Sequence, residues 1–188
     1  GVVVPARVIR WDGAEREAGE VDGICIDMLQ AAQVWPVLAS ARTIRDAEAF
    51  ALLLCGSDIP AAAVHSGLSA KETARRVEML KAGELKVLVH VSMLAEGADF
   101  PWLRGLMLRR RVGARVRFVQ EVGRVLRACE GKSEGVVFDP FDLMGEMGLS
   151  HPEAIGEALQ EEAGPGGGGG GGEGSAPEAV SSMPLADW

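Results

Sequence analysis

Short apolar runs alternate with amphipathic stretches along most of this 188-residue chain. The runs are Ala6–Trp11, Val34–Ala39, Ala61–Val64, Lys86–Val91, Leu103–Leu108 and Gly135–Phe138. Several are apolar at successive positions, as in strands buried on both faces of a sheet. The stretches between them carry helix signals. Thr43 can cap a helix with Ile44, Ala47, Ala51 and Leu54 on one face, stopped by Gly56. Ser69 and Glu72 form a capping-box pattern, and Gly83 closes that helix. Ala114–Ala128 reads as a helix with Val119, Val122 and Leu126 inward. Ser150 and Glu153 repeat the capping box, with Pro152 in the first turn. Strand–helix alternation at this spacing implies right-handed crossovers. The expected fold is α/β: a three-layer domain with a mainly parallel sheet and helices on both faces. Ligands are expected at the carboxyl ends of the strands.

The alternation stops near Ala163. From Gly164 the chain reads GPGGGGGGGEGSAPEAVSSMPLADW, and residues 152–188 hold seven acids and no Lys or Arg. Polyglycine has nothing to bury and the largest backbone entropy to lose. Residues 1–163 are therefore expected to form the domain and 164–188 a flexible Gly-rich acidic tail. If the tail recruits a protein partner, Leu185 and Trp188 would be its apolar anchors and Asp187 its charged contact. The alternative is a disordered end with no role. Cys25, Cys55 and Cys129 lie far apart without a CxxC pair, and the three histidines lack ligand spacing. A disulfide framework and a metal site are disfavoured, and a reducing cytoplasm is the expected compartment. No run of eighteen apolar residues and no signal-peptide pattern occurs, so no membrane association is expected.

A net charge of −8 argues against a general nucleic-acid coat. Its distribution argues for a local site. Arg104 to Arg127 holds eight arginines, no lysine and one acid, Glu121, a local net of +7, while the rest of the chain carries −15. Arginine without lysine favours forked contact with phosphate; a solvated helix face is the plain alternative. Spacing separates the two. Gln120, Arg124 and Arg127 form a QxxGRxxR pattern at i, i+4 and i+7, one helix face. Gly123 costs that helix roughly 1 kcal/mol against Ala, and such a glycine usually admits another backbone or a ligand. Two arginines and an amide on one face suit a polyphosphate whose charge shifts during transfer. Upstream, the run ending at Val91 leads into Ser92–Pro101, which contains Glu96-Gly97-Ala98-Asp99-Phe100-Pro101. This EGxDxP loop follows a strand end, where α/β sites are built.

Taken in order, these blocks resemble the second RecA-like lobe of a superfamily 2 helicase or translocase. Val37–Arg42 looks like the family's fourth motif, Val87–Pro101 like the fifth and Gln120–Arg127 like the sixth, over about Val34–Asp139. Gln at the start of the sixth motif and EGxDxP in the fifth are similar to the DNA repair, recombination and restriction branch, more than to the DEAD-box RNA helicases. The resemblance implies ATP-driven movement along DNA, with ATP and Mg²⁺ bound between two lobes and the metal held by the first. It implies that Arg124 and Arg127 are arginine fingers toward the γ-phosphate, with Gln120 at the same cleft. Glu96, Gly97 and Asp99 would lie near the ribose and the interlobe contacts. Arg42, His65 and Ser66 would lie near the nucleic-acid backbone. His65-Ser66-Gly67 departs from the usual His-Gly, and Thr73 stands where an Arg is common, with Arg75 and Arg76 nearby.

The sequence contains no GxxxxGK[ST]; Gly166–Gly172 has no Lys and no preceding strand, so it reads as linker. This lobe alone is therefore expected to be inactive in ATP hydrolysis and to need the first lobe of the motor. A RecA-like module that binds nucleic acid or protein without ATP turnover is the competing reading. Asp27 and Asp139 are expected to be strand-end or helix-cap residues. His90 is expected in the core. Trp102 is expected in the core or at a lobe interface, and is the tryptophan to test for base stacking.

Overall fold

The computed structural model describes residues 3–11, 20–92, 100–110, 115–149 and 152–163. Each apolar run contains a strand: β1 (Ala6–Arg10), β2 (Val37–Ser40), β3 (Ala61–Val64), β4 (Val87–His90), β5 (Gly105–Met107) and β6 (Gly135–Asp139). All their pairings are parallel, in the order β1-β6-β5-β2-β4-β3. Strands β2, β4, β5 and β6 are buried along their whole length, which explains why they read as continuous apolar runs.

Helices α1 (Val21–Ala32) and α2 (Ile44–Gly56) cover one face of the sheet. Helices α3 (Ala70–Ala82), α4 (Arg115–Val125), α5 (Leu143–Glu146) and α6 (Pro152–Ala163) cover the other. Two caps form as expected. Thr43 Oγ1 accepts the Asp46 N–H, and Ser69 Oγ accepts the Glu72 N–H. Gly83 closes α3 at φ 82°, a left-handed conformation that favours glycine. Phe50 in one core and Phe118 in the other are fully buried. Each contributes on the order of 1.5–3 kcal/mol by removal from water.

Three expectations change. Helix α1 has no counterpart in the sequence reading: its N-cap Glu20 makes no side-chain cap bond and Gly23 interrupts its first turn. Its signal is the buried set Ile24, Cys25, Met28 and Leu29, one helical face. Asp27 thus sits mid-helix and exposed, not at a strand end or cap. Asp139, by contrast, ends β6, and its carboxylate accepts the N–H groups of Phe141, Leu143 and Met144 to start α5. Helix α4 ends at Val125, so Arg127 lies beyond it. Finally, the space over Gly123 is taken by α6: a Cβ there would meet Leu159 Cδ2. Ser150, part of the second capping box, lies outside the described residues.

Candidate nucleic-acid and nucleotide faces

Parallel strands bring the turns after β2 and β3 to the carboxyl edge of the sheet, on either side of β4, and these turns carry Arg42, His65 and Ser66. Arg42 and Ser66 are exposed. His65 is not: its side chain is only 6% exposed, its Nδ1 accepts the Gly67 N–H, and its Nε2 lies 3.3 Å from Glu48 Oε1 of α2. Ile44 also abuts the His65–Gly67 turn, so α2's first two turns join the Arg42 and His65 segments. Arg75 and Arg76, close to the position where the family often has an Arg, both bond Glu72 and hold its carboxyl down to about 2. Arg76 also donates to the Ala63 carbonyl at 2.6 Å.

Among the described residues, the arginine-rich segment does not form one phosphate patch. Arg109 is nearly buried, donates to Asp22 at 2.7 Å and grips both oxygens of Asp46, at 2.6 and 2.8 Å. Its guanidinium stacks 4.3 Å from the Phe50 ring centroid. Burial works against the Arg109 charge, but bonds to Asp46 and Asp22 outweigh it and raise its pKa. On Asp46, burial pushes up and the Arg109 bonds and the Arg42 N–H push down, leaving the carboxyl below its usual range. Arg110 donates to the buried Glu121 of α4 at 2.6 Å. Arg104 donates to the Gly131 carbonyl and Arg115 to that of Met147. Sequence counting gives the cluster's charge but not these partners, because Asp22 and Asp46 lie far upstream.

Gln120 is exposed on α4, Arg124 is half-buried, and Arg127 is exposed. Arg127 forms an antiparallel bridge with Val3, and Leu126 O accepts the Val4 N–H at 2.7 Å. Gly135, the first residue of β6, abuts Val125 and Leu126. The end of α4 thus lies at the amino ends of β1 and β6, opposite the edge that holds Arg42 and Ser66. Arg127 and the end of α4 therefore do not share the carboxyl edge with Arg42 and Ser66. Lys132, unnoticed in the sequence, holds this helix end: its buried Nζ donates to Val125 O at 2.5 Å and to Pro101 O at 3.0 Å. Burial pulls its pKa down to about 8.

His90 is fully buried, and burial plus the Arg110 charge pull its pKa down to about 3, so it is a neutral core residue. Trp102 is partly buried against the core, its ring 5.5 Å from that of Phe100. Glu96, Gly97 and Asp99, and the tail residues Leu185, Asp187 and Trp188, lie outside the described residues. Among the described residues no acidic or His/Cys group could hold a metal ion, and no helix is long and apolar enough to cross a membrane.

The conserved pattern of the helicase conserved C-terminal domain matches residues 21–129, more than half of the chain and every element from α1 to α4. The chain belongs to this helicase C-terminal domain family. A protein provisionally named helicase 22, from Sulfolobus islandicus filamentous virus, is 32% identical over 105 residues. That match covers 56% of this chain and 19% of the viral protein, so the lobe spans about a fifth of that relative. Among solved structures, the E. coli DEAD-box protein SrmB bound to RraA is similar at TM-score 0.61 and 16% identity, over 79% of this chain and 85% of that one. The C-terminal domain of the DEAD-box protein Dbp5 is similar at 0.60 and 15%, over 86% of both chains. A DEAD-box protein from Methanococcus jannaschii is similar at 0.58 and 17%, over 84% of this chain and 40% of that one. At such identities the likeness is one of fold: a RecA-like helicase C-terminal lobe.

Proposed function

We propose that this lobe completes the ATP site of a DNA helicase or translocase and contacts the nucleic-acid backbone. ATP is the substrate, bound between this lobe and a first RecA-like lobe that supplies the P-loop and the Mg²⁺ ligands. Arg124 and Arg127 are the arginine fingers, stabilising charge that develops on the γ-phosphoryl oxygens, and Gln120 is a polar contact in the same cleft. Glu96, Gly97 and Asp99 face the ribose and the first lobe. Arg42 and Ser66, with His65 behind them, line the backbone of the bound strand. The observation that carries this reading is the QxxGRxxR segment itself. Its three side chains lie on or just past the second half of α4, with Gln120 and Arg127 exposed and Arg124 half-buried.

DNA is favoured over RNA by the EGxDxP loop and the Gln that opens QxxGRxxR. The solved neighbours include a Dbp5 structure bound to RNA, so the comparison of strands is part of the test. Labelled single-stranded DNA and RNA of one sequence are titrated with the chain at several salt concentrations, and phosphate release from ATP is followed alongside. The expected result is weak, sequence-tolerant binding that falls steeply with salt, tighter for DNA, with no ATP turnover. Tighter RNA binding would move the lobe to the RNA branch. Sequence-specific, salt-insensitive binding, or ATP turnover abolished by Arg124→Ala, would contradict the half-motor reading.

A further inference from the structure

The backbone of Arg42 is bonded to a carboxylate that a residue far along the chain grips. Arg42 sits one residue past a buried Ala41 at the end of β2, with its own side chain in solvent. Its backbone N–H donates to Asp46 Oδ2 at 2.9 Å. That same oxygen accepts Arg109 Nη1 at 2.8 Å, while Oδ1 accepts Nη2 at 2.6 Å. A bidentate fork fixes the plane of a carboxylate as well as its position. Arg109 is itself held: Nε bonds Asp22 of α1, and the guanidinium lies over Phe50. The 41–43 turn, the start of α2, the start of α1 and the exit of β5 therefore meet on one buried cation.

We infer that Arg109 is a positioning residue for nucleic-acid binding: through Asp46 it fixes the turn that presents Arg42 to the phosphate backbone. This rests on the proposed backbone contact of Arg42. A built-in comparison stands next to it. Arg110 makes an equally short bond, to Glu121, but on the opposite face of the sheet and without contact to the Arg42 turn. Both arginines tie elements together; only Arg109 reaches the turn.

The test is a double-mutant cycle on single-stranded DNA binding by the full chain. Arg42→Ala is expected to weaken binding about five-fold and to lower the salt slope by about 0.7, the loss of one phosphate contact on a single strand. Arg109→Lys keeps the charge and loses the fork, and is expected to weaken binding by a similar factor. The double variant is expected to bind no more weakly than Arg42→Ala alone. Arg110→Lys is expected to lower the melting temperature while leaving affinity within about two-fold. If Arg109→Lys does not fold, Asp46→Asn takes its place in the cycle with the same expectation. Losses that add in the double variant, unchanged affinity in Arg109→Lys, or an equal loss in Arg110→Lys would overturn the inference. No binding by the unaltered chain, or unchanged binding in Arg42→Ala, would overturn the backbone contact and the inference with it.

Discussion

Replacing Lys132 by Met tests how the end of α4 is held. Met preserves the apolar stem but removes the Nζ that donates to Val125 O and Pro101 O. Leaving a buried acceptor without its donor costs about 1–3 kcal/mol. Against this, the buried ammonium is itself disfavoured, as its lowered pKa of about 8 records. At pH 7 the two effects leave a net loss of about 1 kcal/mol, which lowers the melting temperature by about 2–4 °C in a domain of this size. The pH dependence has a definite sign. The folded chain releases the Lys132 proton near pH 8, whereas the unfolded chain keeps it to the ordinary lysine value of 10.5. Between these values the unfolded state binds more protons, so the unaltered protein gains stability from Lys132 as pH rises. Met cannot. The difference between the two proteins should widen by about 1–2 kcal/mol from pH 7 to pH 9.5. Urea unfolding followed by tryptophan fluorescence at both values measures it, and other titrating groups cancel in the difference. A difference that stays constant or shrinks would refute the argument.

Two further outcomes follow from packing. Gly123→Ala gains roughly 1 kcal/mol of helix propensity and meets only the terminal Cδ2 of the partly buried Leu159, which a side-chain rotation can move aside, so the variant should melt at or slightly above the temperature of the unaltered protein. A clear drop in melting temperature would show that Leu159 cannot turn away and that the α4–α6 contact requires glycine at 123. Truncation after Ala163 should shift the melting temperature by no more than a degree or two, because a Gly-rich segment contributes little buried area; a large drop would place the domain boundary further along the chain.

Strand positions were legible because four of the six strands are buried on both faces and so read as unbroken apolar runs. Helices α2 and α3 were legible because Thr43 and Ser69 cap them with side chains. Helix α1 was not, because it lacks a capping side chain and carries Gly23, and its apolar face was too short to stand out. The site was legible in its spacing alone. QxxGRxxR runs through the end of α4 and the Arg42 and His65 segments follow β2 and β3, but their relation is a product of topology: a helix that runs back along the sheet carries Arg124 and Arg127 away from the edge that holds Arg42. Long-range partners such as Arg109 with Asp22 and Asp46 leave no local pattern. Arginine count suggested a phosphate patch; the structure spends Arg109 and Arg110 on internal carboxylates.

ATP turnover tests the arginine-finger assignment most directly. The lobe is joined to a first RecA-like lobe, and nucleic-acid-stimulated phosphate release is compared for the unaltered protein and Arg124→Lys, which keeps the charge but loses the fork. The account predicts a fall in kcat of about 10³-fold or more, with nucleotide and DNA binding retained, because such arginines act on the transition state. Turnover within a few-fold of the unaltered protein would contradict it.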